Sequence, residues 1–192
     1  MGRVCRIVAI SGFLNAAAWC VCHGPDHIIS AGIEDNFRGP PKPVTPSARL
    51  LATEEARIYF KLYGNSRFRR FDEDGGNRLF LTSLILPSRR ICSALFETHL
   101  RRRFDGRFGM DYNDFLELGF APFCCTGTHK SLFRAGIWQG DPFDLLVKTL
   151  RVPLPAVELN QFVFLTESPH YFDIMIHNDT TVDYVKLILR FE

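Results

Sequence analysis

Cys124, Cys125 and His129 are the residues whose types and spacing come nearest to covalent chemistry. A thiolate activated by an imidazole is the pairing that a cysteine-dependent hydrolase uses, and the histidine can be remote in sequence. The alternative for adjacent cysteines beside Phe123 is a pair of small core side chains. Zinc would need about four ligands, and no paired C-x-x-C completes the set. Met110-Asp111-Tyr112-Asn113-Asp114-Phe115 looks like the exit of a calcium loop. Counting back from Asp114, however, puts Arg103 and Arg107 where oxygen ligands are required. G-x-S-x-G, H-E-x-x-H and the G-x-x-x-x-G-K-[ST] phosphate loop do not occur. The reading is a protein that is not an enzyme and holds no cofactor or metal.

The elements that would carry such residues begin with an address. Arg3 and Arg6 precede a mostly apolar run from Ile7 to Cys22, and small residues at Ala16-Ala17-Ala18 and around Cys22 permit cleavage before Trp19 or before His23. This is the three-part pattern of a secretory signal peptide, assigned to residues 1–22. The run is short for a span of about 20 residues and is followed at once by charged and helix-breaking residues, so no transmembrane segment is expected in the mature chain. Loss of Arg3 and Arg6 leaves basic and acidic residues equal at 21 each. Global charge therefore makes no case for nucleic acid or for an anionic membrane. Cleavage after Cys22 would leave Cys92, Cys124 and Cys125, a poor disulfide framework for a secreted chain.

Five prolines (Pro25, Pro40, Pro41, Pro43, Pro46) and three glycines (Gly24, Gly32, Gly39) lie between His23 and Ala48. That density predicts a disordered spacer. Ser47 is a candidate cap for a helix running to about Tyr63. Within it stand Arg49, Leu50, Leu51 and Ala52, then Glu54, Glu55, Ala56 and Arg57. In order and position these residues resemble the RXLR-type secreted effectors of oomycete plant pathogens. Arg49 and Leu51 match the first and third places of the Arg-x-Leu-Arg tetrad, and Ala52 departs from the last. Glu54-Glu55-Ala56-Arg57 is a Glu-Glu-Arg element with one inserted alanine. The resemblance makes residues 23–57 a spacer with a delivery motif: Arg49, Leu50, Leu51, Glu54, Glu55 and Arg57.

Residues 58–192 read as a helical cargo domain. Ile91, Cys92, Leu95, Phe96, His99, Leu100 and Phe104 recur at helical spacing from Ser88 onward. Asp141-Pro142 and Ser168-Pro169 have the form of helix starts. Phe143, Leu146, Val147 and Leu150 would fill one face after the first, and Phe172, Met175 and Ile176 after the second. This segment resembles the WY fold of such effectors, which implies a small helical bundle with Trp138, Phe143, Leu146 and Leu150 in its core. Residues 182–191 fit a strand by alternation and a helix by spacing, and the neighbouring helices favour helix. Arg67-Phe68-Arg69-Arg70 and Arg101-Arg102-Arg103 read as a linker and a solvated face.

The resemblance implies a mainly α effector, secreted and then carried into the plant cytoplasm or nucleus, that binds a host protein to suppress immunity. A small secreted hydrolase using Cys124 or Cys125, and an extracellular binding protein that never enters cells, are the alternatives.

Overall fold

A side-chain period of two governs the commonest element among the described residues. In the segment from Ile91 to Arg101, Ala94, Phe96, Thr98 and Leu100 turn to one side and are buried, with Leu95, Glu97 and His99 between them. That is strand geometry. The computed structural model describes residues 22, 24–63, 68–73, 79–102, 114–121, 130–141, 145–177 and 180–192. Among them run β1 (His27–Gly32), α1 (Ala48–Leu51), α2 (Glu54–Tyr63), β2 (Phe80–Leu86), β3 (Ile91–Arg101), β4 (Phe115–Phe120), β5 (Lys130–Gly136), β6 (Val147–Leu154), α3 (Ala156–Leu165), β7 (His170–Ile176) and β8 (Thr181–Phe191).

The strands form two antiparallel four-stranded sheets, ordered β1-β8-β3-β6 and β2-β7-β4-β5. Successive strands alternate between sheets except at the β4–β5 pair, which is the jelly-roll arrangement. One apolar core unites them. Phe96 and Leu100 of β3 and Val185, Leu187 and Leu189 of β8 share it with Leu116 and Leu118 of β4 and Phe172, Ile174 and Ile176 of β7.

The expected helical bundle is thus replaced by a β-sandwich. The segments expected as helices at 88–104, 141–150 and from 168 onward contribute β3, β6 and β7, and residues 182–191 lie in β8. Apolar residues at i, i+3, i+4 also satisfy much of an alternating pattern over a short window, and strand-favouring aromatic and β-branched residues decide between them. Pro153 falls in β6, an edge strand that pairs with β3 alone, where a missing N–H is tolerated. The segment expected as a disordered spacer carries β1, whose six residues pair in register with Tyr184 to Leu189.

Ser47 does cap a helix, accepting from the Leu50 N–H at 3.0 Å, but α1 lasts one turn. Thr53 then caps the start of α2 through the Ala56 N–H. Leu50 and Ala56 are fully buried in a second cluster with Leu81 of β2 and Met175 of β7, so the two helices cover the outer face of the second sheet. Buried Asp173 of β7 fastens them. It accepts from Ser83 Oγ (2.6 Å), Ser47 Oγ (3.3 Å) and the Ala121 N–H (2.7 Å). A buried carboxylate held by several donors is tolerated where a lone one is not.

Candidate functional site

Among the described residues a group of ionisable side chains lies at one end of the first sheet, and a bulge helps to place it. His99 of β3 pairs with Tyr184, and Leu100 pairs with Val182, so Asp183 is the extra residue of β8. A bulge kinks the strand and re-aims the side chain. On its other flank β8 pairs with β1, which ends at Gly32 opposite Tyr184. There the chain must fold back sharply. Gly32 adopts φ +82, and a Cβ at this position would stand 2.5 Å from the Asp183 carbonyl oxygen and 2.7 Å from the Phe71 ring.

The returning loop wraps the Asp183 carboxylate in main-chain amides. The N–H groups of Asp35, Asn36 and Phe37 reach it at 3.5, 3.2 and 3.3 Å. Asn36 and Phe37 sit at φ 61 and 60. Asparagine accepts the left-handed region readily and phenylalanine does not, so strain is stored here. Successive amides turned toward one point form a nest for an anion. His99 completes it, with Nδ1 2.8 Å from Asp183 Oδ2. The Phe37 ring lies 4.8 Å from the imidazole, and the Arg101 guanidinium sits 4.5 Å above Phe37.

Asp72 enters from a second loop, itself at φ 59, with its N–H donating to the Val182 carbonyl at 2.8 Å. The loop is pinned by reciprocal main-chain bonds between Phe71 and Lys42. Asp72 is 7 % exposed, and its carboxylate accepts from no N–H group but meets the Asp183 carboxylate. Asp35, Asp72 and Asp183 each place an oxygen within 4.8 Å of the others. The two buried acids part company electrostatically. Burial, then the charges of Asp183 and Asp35, push Asp72 up to about 7, with Lys42 opposing. Burial acts in the same direction on Asp183, but the bonds from His99, Phe37 and Asp35 outweigh it and hold that carboxyl low. Such a cluster can share a proton or take a cation.

The delivery-type residues lie elsewhere. Arg49, Leu50 and Leu51 form α1, with Leu50 fully buried. Glu54, Glu55 and Arg57 lie on α2, where Glu54 and Arg57 line a cleft of about 500 Å³ with Ala52, Ile58 and Lys61. Of the residues expected in the core, Trp138 is fully buried and its Nε1 donates to Thr180 Oγ1 at 2.8 Å. It sits in the turn after β5, with Arg102 and Lys148 over its ring, rather than between two helices. Leu146 is 47 % exposed, and Leu150 of β6 packs partly buried against the main core. Phe143, Cys124, Cys125, His129 and residues 1–21 of the leader lie outside the described residues. The basic runs are structural in part. Arg69 is fully buried and donates to the Thr180 carbonyl at 2.7 Å, and Arg102 is 5 % exposed.

Helix α3 presents an apolar surface. On α3, Leu159 and Val163 face inward, while Val157, Phe164 and Leu165 are 67, 61 and 82 % exposed. Among the described residues no helix is long and apolar enough to cross a membrane. No protein-family model matches the chain, and a comparison with curated proteins finds no similar one.

Sequence reasoning passed over Asp35, Asp72, His99 and Asp183 as chemistry. His99 stood at a helical spacing, and no motif contained the three aspartates. The usable signal was an aspartate, Asp183, inside an apolar alternating run.

Proposed function

We propose that this chain is a secreted virulence effector of the oomycete RXLR type, carried into plant host cells, where it binds a host protein and suppresses immunity without catalysing a reaction. The leader-like N-terminal segment and the order of Arg49, Leu51, Glu54, Glu55 and Arg57 after it support delivery. Glu54 and Arg57 are exposed on the folded surface, where a carrier can read them.

The observation that carries the binding half is the outer face of α3. Val157, Phe164 and Leu165 stand at i, i+7 and i+8, on one side of the helix. Grouped exposed apolar residues of this size mark contact surfaces more often than scattered ones do. The helix offers them rigidly. The Asn160 side chain both accepts from the Ile91 N–H and donates to the Ile91 carbonyl, each at 2.7 Å. Phe162 stacks on Phe120 with ring centres 3.6 Å apart. A pre-organised helix face loses little entropy on docking.

The test is Phe164→Glu with Leu165→Ser, expressed inside plant cells without the leader. The variant should melt within about 2 °C of wild type, since both side chains are exposed, and should lose immune suppression and pull-down of the host partner. A folded variant that still suppresses would remove this face from the proposal. Delivery is tested separately with Glu54→Ala and Arg57→Ala, which should abolish the effect only when the pathogen secretes the protein.

A further inference from the structure

We propose that Asp35, Asp72 and Asp183 form a binding site for a single hard divalent cation, calcium by preference, which ties the loop after β1 and the loop before β2 to the bulge of β8. The observation that demands a ligand is Asp72. Its side chain is more than nine-tenths buried, it points at two other carboxylates, and its side-chain contact is with the Asp183 carboxylate, itself an acceptor, so a proton or a cation must stand between them. Buried polar atoms left without a partner are rare in folded proteins, and a buried carboxylate beside like charges is the costliest kind.

The neighbours do not resolve that debt. Asp183 already accepts from three amides and from His99, which occupies both its oxygens. Asp35 Oδ1 accepts from the Arg38 N–H at 3.0 Å, leaving its second oxygen beside Gly39. Lys42 is the cation that acts on Asp72, and its influence is smaller than that of either acid. The site therefore gathers three carboxyl groups, with Lys42 near Asp72 and the His99 ring bonded to Asp183. Asp72 and Asp35 have lone pairs to give, and Asp183 is the fixed charge behind them. Half-buried Asp35 marks the side open to solvent, from which water would complete the coordination.

The three oxygens lie within 4.8 Å of one another, close enough to share one cation. They come from three separate chain segments, and calcium tolerates the irregular geometry that such a set imposes. The competing account is a proton shared between Asp72 and Asp183 with no metal at all.

The experiment is thermal unfolding of the secreted protein at pH 7.5 in EDTA and in a calcium chloride titration, with isothermal calorimetry in parallel. Calcium at about a hundred times its Kd should raise Tm by about 5–10 °C. The rise should vanish in Asp72→Asn, which keeps the shape and removes the charge. An identical Tm in calcium and EDTA would overturn the site in favour of the shared proton. So would a calcium shift that persists in both Asp72→Asn and Asp35→Asn, since the ion would then sit elsewhere. If Asp72→Asn does not fold, Asp35→Asn takes its place, and the wild-type titration alone still decides whether an ion binds.

Discussion

His99 Nδ1 and Asp183 Oδ2 lie 2.8 Å apart across the β3–β8 ladder, at the point where a bulge breaks its register. Asp183 is fully buried and the His99 side chain is 15 % exposed, so the pair joins the sheet interior to the surface loop. Removing the imidazole takes away the shortest hydrogen bond to a buried carboxylate. His99→Ala should therefore cost about 2–3 kcal/mol, in the range for hydrogen bonds to charged groups. It should also remove the ring against which Phe37 packs. Hydrogen exchange should accelerate at the amides of Asp35, Asn36 and Phe37 and leave those of β7 unchanged. Uniform acceleration across both sheets would show that the pair supports the whole domain rather than this loop.

Gly32 is the hinge that lets the same loop reach Asp183. A methyl group there meets main-chain oxygen at 2.5 Å and an aromatic ring at 2.7 Å, on a backbone with φ +82. Left-handed φ alone costs about 1–2 kcal/mol for a residue with a Cβ, and the oxygen belongs to a paired strand that cannot yield freely. Gly32→Ala should lower stability by at least about 2 kcal/mol in urea unfolding. Gly24→Ala, with nothing within 4 Å of its Cβ, is the matched control for a positive-φ glycine without the clash.

Asp72 and His177 should pull in opposite directions with pH. Asp72 rises from 3.8 to about 7 on folding, through burial and then the charges of Asp183 and Asp35. Between those values the folded chain holds a proton that the unfolded chain lacks, so this group favours folding as pH falls from 7 toward 4. His177, whose ring is stacked on Phe115 and whose Nε2 has no partner, falls from 6.5 to about 4, chiefly through burial. Between these values the unfolded chain holds the extra proton, so acidification over the same range favours unfolding. In EDTA the wild-type profile should be shallow from pH 4 to 7. Asp72→Asn should gain stability above pH 7 and then lose it on acidification, by about 1 kcal/mol per pH unit between 5 and 6. A variant whose stability is flat with pH would mean that His177 is not held neutral by the fold.

Trp138 anchors a buried chain of donors. Its Nε1 donates to Thr180 Oγ1, which in turn donates to Asp114 Oδ2 at 2.6 Å. Trp138→Ala should cost about 3–5 kcal/mol. Thr180→Val keeps the volume but leaves the indole N–H without an acceptor and takes a donor from Asp114, for about 2–4 kcal/mol. Equal melting temperatures for Thr180→Val and wild type would show that other groups take over the chain.

How much of this could be read in advance follows from length scales. Local grammar was legible: Ser47 caps a helix because its oxygen serves an amide three residues on. Alternation of Val185, Leu187, Leu189 and Phe191 correctly described a strand, and was set aside for neighbouring segments that were themselves strands. Proline-rich composition described residues 23–48 as unable to form a core alone. It could not show that β8 offers a free edge on which Ile28 to Gly32 pair. The Asp35–Asp72–Asp183 group was illegible for the same reason, since its members are 37 and more residues apart and meet only when the two sheets close. Trp138 was foreseen as buried, but its partners are a threonine and two cations brought from the residue after β3, from β6 and from the β7–β8 connection rather than the helices its surroundings suggested.

Processing of the leader gives the sharpest test of how the first residues relate to the fold. Cys22 is disulfide-bonded to Cys92, at the start of β3, across a separation of 70 residues. Of the two sites the sequence permits, a cut before His23 would remove Cys22, and a cut before Trp19 would keep it. The bond tethers the chain just ahead of β1, the edge strand of its sheet. Closing a loop of this size is worth about 4 kcal/mol in the chain-entropy account. Secreted protein should therefore begin at Trp19 and yield a Cys22–Cys92 cross-linked peptide on non-reducing digestion. Cys22→Ser, or reduction of the wild type, should lower stability by about 2–4 kcal/mol and speed exchange along β1 first. Mature protein beginning at His23 would leave Cys92 without this partner and would mean that β1 holds to β8 through its ladder alone.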